Sequence, residues 1–431
     1  MNLLQEIFNN EVFPAIGCTE PISCAYVTAA AVEQLLNGAV EDIEITVDPG
    51  TFKNGVAVTV PNSGGMTGNI IASALGAVIA KSALRLEILK EVSPAVLKKA
   101  QKLIKDGVIK YRCKEDEKNF HLEVTARAKG QTVHCIVSEG HTNITCLEKN
   151  GKSIMHTHPH AGAKTKNYRD ILKKISIEKL LREVTALNSQ QRKYIKRGID
   201  MNMAISEKGI AMKRSAYQLK HMYKEGIIAN DLFYKVKLRV ASAVDARMGG
   251  LPEPVMTSGG SGNQGVLTIL VPYLVGRDQK IKQSIIEESI AISHAINSYI
   301  KCFTGELSVL CGCAIAASVA AAIALVYQKA GIDMPKITFA VDNVIGDLCG
   351  IICDGAKPGC SMKIVSGADA VIRSSFMALA GYGLSVKDGV LGISAEESIK
   401  NLSKISLEGM GLVDPTLVHI LQKKITRSGL A

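Results

Sequence analysis

The stretch that decides the fold is residues 307–327, "LSVLCGCAIAASVAAAIALVY". It contains no charged residue, and its length is sufficient to span a bilayer. It is dominated by Ala, Ser, Gly and Cys and has only eight Leu, Ile or Val residues, whereas helices that insert readily into membranes are rich in Leu. Small side chains also let neighbouring helices approach closely. The sequence therefore predicts a buried central helix here and not a membrane span.

The composition indicates a globular protein with a helical core. At 431 residues the chain exceeds the usual size of one core, so two lobes are expected. Hydrophobic residues make up 47% of the chain and charged residues 21%, while Trp is absent and aromatic residues reach only 4%. The core must therefore consist mainly of Ala, Ile, Leu and Val, which favours close-packed helices.

The charge pattern gives no sign of a nucleic-acid or membrane partner. The formal net charge is +11, but the 51 Lys and Arg residues are scattered and their densest patches are not interleaved with aromatic residues. The N-terminus, "MNLLQEIFNNEVFP", lacks a basic region before an apolar run, so no secretory signal is predicted. With eleven cysteines, an odd number, a disulfide framework is not expected, and we predict a cytoplasmic protein with reduced thiols.

The pattern along the chain predicts an α+β fold with two unequal parts. Residues 1–150 combine helices with strands, including two or three antiparallel strands within 119–148, and "GVAVTVPNSGG" at 55–65 also alternates like a strand. Residues 151–175 are polar and His-rich and are predicted to form a linker. Residues 176–431 are predicted to form a mainly helical lobe, whose size makes a homodimer plausible.

Two glycine-rich turns precede apolar segments, "NSGGMTGN" at 62 and "TSGGSGNQG" at 257. Such a turn at a helix start presents free backbone N–H groups and the positive end of the helix dipole, which suits a carboxylate or phosphate. Glycine loops also occur simply as tight turns. Together the two turns favour a small anionic ligand.

The cysteines are the strongest chemical signal in the sequence. The stretch "CGIICDGAKPGC" at 349–360 holds three of them in a Gly-Pro loop, and there is no pair of CxxC knuckles of the kind that binds structural zinc. Thiolates from separate segments suit an iron–sulfur cluster, and an incompletely ligated iron could act as a Lewis acid. Five cysteines that fall in helix or strand patterns are interpreted as packing residues: Cys24, Cys113, Cys135, Cys146 and Cys302.

Four motifs, "PAIGCTEP", "TSGGSGNQG", "GELSVLCGCAIAAS" and "GIICDGAKPGCSMK", resemble the L-cysteine desulfidase family, which is related to the α-domain of iron–sulfur L-serine dehydratases. The motifs occur in the family's order, and the resemblance covers residues 5 to 425. It implies a [4Fe–4S] cluster, no pyridoxal phosphate, and β-elimination from a small amino acid to give pyruvate and ammonia.

The resemblance places cluster ligands on Cys18, Cys313 and Cys353, with Cys360 as the natural further ligand in the same motif. Cys311 lies two residues before Cys313 and could replace it. The serine dehydratases take one ligand from the chain's C-terminus, but this chain ends "TRSGLA" without a cysteine, so Cys18 or the substrate would fill that position.

The reaction implied by the resemblance needs groups that bind the amino acid and remove its α-proton. His141, on a turn after a predicted strand, is the candidate base. Glu20 could hold the substrate ammonium, and Lys357 and Lys363 could act in catalysis or offset the charge of the cluster. The substrate carboxylate would bind the glycine loop, whose residues are Ser258, Gly259, Gly260, Ser261, Gly262 and Asn263. The loop 63–68 is a second candidate for this role. The histidines in the linker, His156, His158 and His160, have a spacing that resembles a metal site but are interpreted as solvated.

The sequence alone leaves several functions open. An L-cysteine desulfidase and an L-serine dehydratase share the substrate carbon and differ by one atom. A pyridoxal-phosphate lyase could do the same chemistry, but no Schiff-base lysine signature is present. A membrane protein built around 307–327, or a non-catalytic redox sensor with a cluster, would retain some of the same motifs.

Overall fold

The computed structural model describes residues 2–35, 40–138, 140–155, 168–305 and 307–428. The strands are β1 (Pro14–Ile16), β2 (Asp42–Val47), β3 (Ile109–Cys113), β4 (His121–Ala128), β5 (Gln131–Ser138), β6 (Ile144–Lys149), β7 (Lys152–Ser153) and β8 (Pro254–Met256). The helices are α1 (Leu3–Glu11), α2 (Thr19–Val32), α3 (Pro49–Asn54), α4 (Asn69–Ile79), α5 (Pro94–Lys105), α6 (Tyr168–Leu172), α7 (Ile177–Val184), α8 (Ser189–Lys208), α9 (Ser215–Lys224), α10 (Leu232–Met248), α11 (Gly262–Asp278), α12 (Gln283–Thr304), α13 (Ala316–Ala330), α14 (Met334–Leu348), α15 (Cys360–Leu379), α16 (Ala395–Lys404) and α17 (Val413–Ser428). Ser82–Glu91 and Gly209–Met212 are 3₁₀ segments, and Ile405–Gly409 is a π turn.

A six-stranded mixed sheet dominates the N-terminal part, in the order β3-β2-β4-β5-β6-β7. β2 and β3 are parallel, and the other neighbours are antiparallel. Along β4 and β5, buried and half-buried residues alternate, so one face of the sheet packs inward. Lys129 and Gly130 both have positive φ, which is the backbone of a tight hairpin. The predicted α+β class and the antiparallel strands are confirmed.

Helix α2 lies between the sheet and helix α4, which explains why it is buried almost all round. Cys24 and Val27 belong to the core against the sheet, whereas Ala25 belongs to the core against α4. A Cβ at Gly76 of α4 would lie 2.0 Å from the carbonyl oxygen of Ala25. Small residues on both helices therefore permit α2 and α4 to pack closely. Because this packing holds α2 in place, it also positions Cys18 at the start of α2.

The C-terminal part is helical and is built around α13. This helix contacts α11, α12, α14 and α15, and nearly all of its side chains are buried. The expected central buried helix is thus confirmed from Ala316 onward, whereas residues 307–315 form a bridge and turns and not helix. Among the described residues no single helix is long and apolar enough to cross a bilayer; Asn69–Ile79 and Ser82–Glu91 pass that test only together, as a pair bent by 110°.

The two parts of the chain are tied together at several points. Helix α1 packs on α12, strand β1 pairs with β8, and α17 packs on α3. The predicted division at residue 150 stays a prediction. One local expectation was wrong: residues 55–65 form only a single bridge, between Thr59 and Thr67, because Pro61 and the positive φ of Asn62 interrupt an extended strand.

Candidate active site

The glycine loop 258–263 lies between strand β8 and helix α11 and forms the centre of the candidate site. Gly259 and Gly260 have φ values of 55° and 72°, which favour glycine. Gly262 and Asn263 begin α11, and Ser261 is its N-cap residue. The loop therefore turns sharply and presents the N–H groups of a long helix, as an anion site requires.

Side chains from α12 hold this loop in place. Asn297 donates a hydrogen bond from Nδ2 to Oγ of Ser258 at 3.1 Å, and Nδ1 of His294 lies 3.0 Å from the same oxygen. Burial lowers the pKa of His294 to about 3, so this imidazole is neutral at physiological pH. Nζ of Lys301 donates to the carbonyl oxygen of Gly259. A rigid helix thus fixes the loop.

Four cysteines converge beside the loop from two distant segments. Residues 309–311 run antiparallel to 351–353: the N–H of Cys311 donates to Ile351, and that of Cys353 donates to Val309. Strand alternation places Cys311 and Cys353 on one face of this short ladder. Cys313 follows in the turn before α13, and Cys360 is the first residue of α15. Oγ of Ser261 lies 4.0 Å from Sγ of Cys313, so the thiols adjoin the glycine loop.

The four thiols influence one another's ionisation. The hydrogen bond with Cys313 lowers the pKa of Cys311 to about 6, although burial acts in the opposite direction. For Cys313, the same hydrogen bond and burial both raise the pKa. Burial raises the pKa of Cys353, and raises that of Cys360 to about 11. Without a cation among them, so many close thiols cannot all ionise.

Lysines surround these thiols. Lys363 donates from Nζ to the carbonyl oxygen of Ile352 at 2.6 Å and pairs with Asp354, and its charge favours the thiolate of Cys311. Lys357 pairs with the same Asp354 carboxylate. On the N-terminal side, the backbone of Lys53 packs against Gly355, and the charge of Lys53 favours the thiolate of Cys353. The lysines thus offset negative charge near the thiols, and a catalytic role for Lys357 stays a prediction.

Cys18, Glu20 and His141 form a second group of side chains. Sγ of Cys18, the N-cap residue of α2, donates to Oε2 of Glu20 at 2.8 Å, and Oε1 of Glu20 lies 3.8 Å from Nε2 of His141. Burial favours the neutral acid, but His141 and Cys18 outweigh it and hold the pKa of Glu20 well below its ordinary value. Asn54 donates to Oε1 of Glu20 at 3.1 Å. A buried carboxylate thus faces a buried imidazole.

His141 also faces the glycine loop. Its Nε2 is buried without a hydrogen-bond partner among the described residues. A Cβ at Gly260 would lie 3.8 Å from its Nδ1, so the imidazole lies beside the loop. Ser23 of α2 donates to its carbonyl oxygen at 2.8 Å, and the Phe120 ring packs against it with centroids 4.7 Å apart. The imidazole is therefore held by packing while one nitrogen remains available.

Arg247, near the C-terminal end of α10, is a buried cation at the same place. Arg247 is only 2% exposed. No carboxylate of the described residues forms a salt bridge with it. Nη1 donates to Oδ1 of Asn263 at 2.9 Å, whereas Nε has no partner in the described part of the chain. Its charge favours the thiolate of Cys18, although burial raises the pKa of that thiol overall. A buried guanidinium normally needs an anion.

The predicted site residues are thus brought together in two groups around the loop 258–263. The loop 63–68 differs: Gly64 and Gly65 are exposed, and the N–H groups of Gly68 and Asn69 are already bonded to the carbonyl oxygens of Val58 and Gly55. This second loop is therefore not prepared for an anion in the same way. His156, His158 and His160 lie outside the described residues.

The chemistry of the donor set fits an iron–sulfur cluster. Soft thiol donors converge, lysines offset negative charge around them, and two helices, α13 and α15, begin beside them. In the described contacts Cys18 interacts with Glu20 and not with the other thiols, so its role as a ligand stays a prediction.

Residues 83–419 match the model of the serine dehydratase alpha chain family. The chain belongs to this family. Its predicted relationship to the α-domain of the serine dehydratases is thereby confirmed, and a lyase of the serine dehydratase type is indicated.

Similar proteins carry names that state no activity. The chain is 44% identical to a UPF0597 protein of Geobacter sulfurreducens, over 99% of this chain and all of the relative. It is 43% identical to a UPF0597 protein of Elusimicrobium minutum, with coverage of 99% and 100%, and 36% identical to one of Clostridium tetani, with coverage of 97% and 98%. No solved structure matches this member of the serine dehydratase alpha chain family.

Three functional candidates in this family member were missed by reasoning from the sequence: Arg247, Lys53 and Lys301. Each lies in a helix and appears in the sequence as an ordinary surface cation. A signal was available for Arg247, since it lies in the largely apolar run "VASAVDARMGG" at 240–250, eleven residues before Ser258 of the glycine loop. A cation in an otherwise buried helix face indicates a bound anion.

Proposed function

We propose that this chain is an iron–sulfur-dependent lyase that eliminates the β-substituent of a small amino acid, with L-cysteine as its substrate. The observation that carries the proposal is the position of the glycine loop 258–263 between a group of thiols and a buried His141–Glu20 pair. The motif resemblance to L-cysteine desulfidases favours cysteine, and the family match favours serine as the alternative substrate.

The overall reaction is the removal of a proton from Cα and of the sulfur from Cβ. L-cysteine loses hydrogen sulfide to give aminoacrylate, which tautomerises to the imine. One water then hydrolyses the imine to pyruvate and ammonia. L-serine would follow the same course with loss of water. No oxidant or reductant is consumed.

The substrate carboxylate would bind where α11 begins. The N–H groups of the loop 258–263 and the guanidinium of Arg247 supply hydrogen bonds and positive charge there. Nε of Arg247, which has no hydrogen-bond partner among the described residues, would then donate to the substrate carboxylate. Glu20, kept ionised by its neighbours, would hold the ammonium group. These contacts orient Cα between the two groups of side chains.

His141 would remove the α-proton. Its Nε2 is available, and Glu20 beside it would stabilise the imidazolium that forms. Phe120 limits the access of water to the ring. Lys357 is engaged by Asp354, so we give it the role of balancing charge near Cys360 and keep proton removal for His141.

Cys313, Cys353 and Cys360 would hold the [4Fe–4S] cluster, with Cys311 as the alternative to Cys313, and the fourth position would be taken by Cys18 or left to the substrate. When bound, the cluster supplies a Lewis acid for the departing sulfur or oxygen. Lys53 and Lys363 would offset its negative charge.

The test is pyruvate release from L-cysteine and L-serine, measured in parallel on anaerobically reconstituted protein. We expect pyruvate and equimolar sulfide from L-cysteine, with a higher kcat/KM than for L-serine. A higher kcat/KM for serine would make the chain a serine dehydratase. Absence of pyruvate from both, in protein that holds its iron, would contradict the lyase proposal and favour a non-catalytic cluster protein.

A further inference from the structure

A second group of metal-ligating side chains lies on the sheet, away from the residues assigned to catalysis. His134 on β5 and Cys146 and Glu148 on β6 each offer one ligand atom, and these atoms lie within 4.8 Å of one another. His134 pairs with Glu148 in the strand register, and Cys146 pairs with Ile136, so all three side chains are on one face. This is the face opposite the one that packs on α2.

We propose that His134, Cys146 and Glu148 form a binding site for a divalent transition-metal ion of the zinc class. Sulfur, imidazole and carboxylate are the ligands that zinc takes in proteins, and three protein ligands leave a fourth position for water. Nδ1 of His134 lies 3.9 Å from Sγ of Cys146. Tetrahedral zinc with ordinary bond lengths would hold such atoms about 3.5 Å apart, so this pair would need to move only slightly closer.

The surroundings of His134 strengthen this proposal. Its Nε2 lies 2.8 Å from Oε1 of Glu123, and the other oxygen of that carboxylate lies 3.1 Å from Nε2 of His121. A carboxylate bonded to one imidazole nitrogen fixes the tautomer in which the other nitrogen has a free lone pair. Glu123 therefore directs the lone pair of Nδ1 towards Cys146 and Glu148.

Within the described part of the chain, no Lys, Arg or His forms a salt bridge with Glu148. The Cys146 thiol lies close to the Glu148 carboxylate, and a divalent cation would take both as ligands. Cys146, interpreted from the sequence as a packing residue, is instead half-buried on the outer face of the sheet.

A bound metal would link β5 to β6. These two strands precede and follow the turn that contains His141. The strand pairing shifts register between Ile136 and Val137, so the hairpin is irregular between the metal site and His141. A metal bridging His134 and Cys146 would stabilise this hairpin. This consequence for His141 rests on the proposed function, whereas metal binding itself does not.

The test is Zn²⁺ titration of the whole protein followed by calorimetry. Because the active-site thiols also bind zinc, the comparison is between proteins that differ at one position: wild type, Cys146→Ser, Glu123→Gln, and the control Cys113→Ser. Cys113 is another half-buried cysteine of the same sheet, on β3. We expect Cys146→Ser to bind one equivalent fewer than wild type. Glu123→Gln should bind that equivalent about 10- to 100-fold more weakly, and Cys113→Ser should match wild type.

A thermal measurement checks the same site without counting equivalents. Zinc should raise Tm further in wild type and Cys113→Ser than in Cys146→Ser. Equal zinc stoichiometry, affinity and thermal shift in wild type and Cys146→Ser would overturn the proposal. Absence of pyruvate release from iron-loaded wild type, together with the expected zinc difference between wild type and Cys146→Ser, would instead count against the proposed function alone.

Discussion

Nε2 of His141 lies 3.8 Å from Oε1 of Glu20, and both side chains are 8% exposed. These residues are separated by more than a hundred positions, and the pairing of the sheet with α2 brings them together. Glu20 faces the same nitrogen that we propose as the base, so its carboxylate would stabilise the imidazolium formed when His141 takes the proton.

Replacement of His141 by Gln tests this role. We expect kcat to fall about 10²- to 10⁴-fold, the usual contribution of a positioned base, with a small change in KM. The control is His221→Gln, because that histidine is exposed on α9. Steady-state pyruvate release with matched iron content is the measurement, and an unchanged kcat would remove His141 from the mechanism.

Replacement of Arg247 by Met should raise KM more than it lowers kcat, because the guanidinium is proposed to bind the carboxylate in substrate and transition state alike. Arg239→Met on the same helix is the control, since Arg239 is partly exposed and only weakly paired. If Arg247→Met folds, retains iron and keeps the KM of wild type, the carboxylate is held elsewhere.

The glycine loop should not tolerate a side chain at Gly259. A Cβ there would lie 2.6 Å from Cδ of Lys301, in addition to the cost of about 1–2 kcal/mol for a positive φ. Gly226→Ala, in the turn that ends α9, has the same sign of φ but no atom within 4 Å of the added Cβ, so it serves as the control for the cost of φ. Urea unfolding should show a greater loss for Gly259→Ala; equal losses would mean that the loop is less tightly held.

Buried Asp342 should make stability depend on pH. Burial raises its pKa to about 6, despite the hydrogen bond that it accepts from Ser398. The folded state therefore favours the protonated acid, and the stabilisation present below about pH 4 is lost as the pH rises through 6. The difference corresponds to about 3 kcal/mol at 1.36 kcal/mol per pKa unit.

Asp342→Asn should remove this contribution. The stability of wild type relative to Asp342→Asn should fall between pH 4 and 7, whereas Asp347→Asn on the same helix, which is more exposed, should parallel wild type. Parallel urea unfolding curves for wild type and Asp342→Asn at every pH would show that Asp342 does not titrate in this range.

The local features of the fold could be predicted from the sequence. The contacts between distant segments could not. Helix α13 and the strands within 119–148 followed from composition and alternation. The pairing of β1 with β8 and the ladder between 309–311 and 351–353 could not be predicted, because they join segments tens to hundreds of residues apart. The strand predicted at 55–65 is wrong, because the prediction relied on the alternation of apolar residues and gave too little weight to Pro61.

The same limit applied to the site. Cysteines and glycine loops are rare enough to be recognised in sequence, so the thiols and loop 258–263 were predicted. Arg247 and Lys53 depend on burial, which only the packed structure reveals. For Cys146, a strand pattern alone could not distinguish the packed face of the sheet from the outer face.

The central claim is that the thiols beside the loop 258–263 hold iron that is needed for elimination. The most direct measurement is iron, sulfide and pyruvate release from L-cysteine in the same anaerobically reconstituted samples of wild type, Cys353→Ala and Cys349→Ala. Cys349 is the C-cap residue of α14, four residues before Cys353, and provides the matched control. The account predicts that Cys353→Ala loses both iron and activity while Cys349→Ala keeps both. Full activity in Cys353→Ala, or activity in wild type without iron, would contradict it.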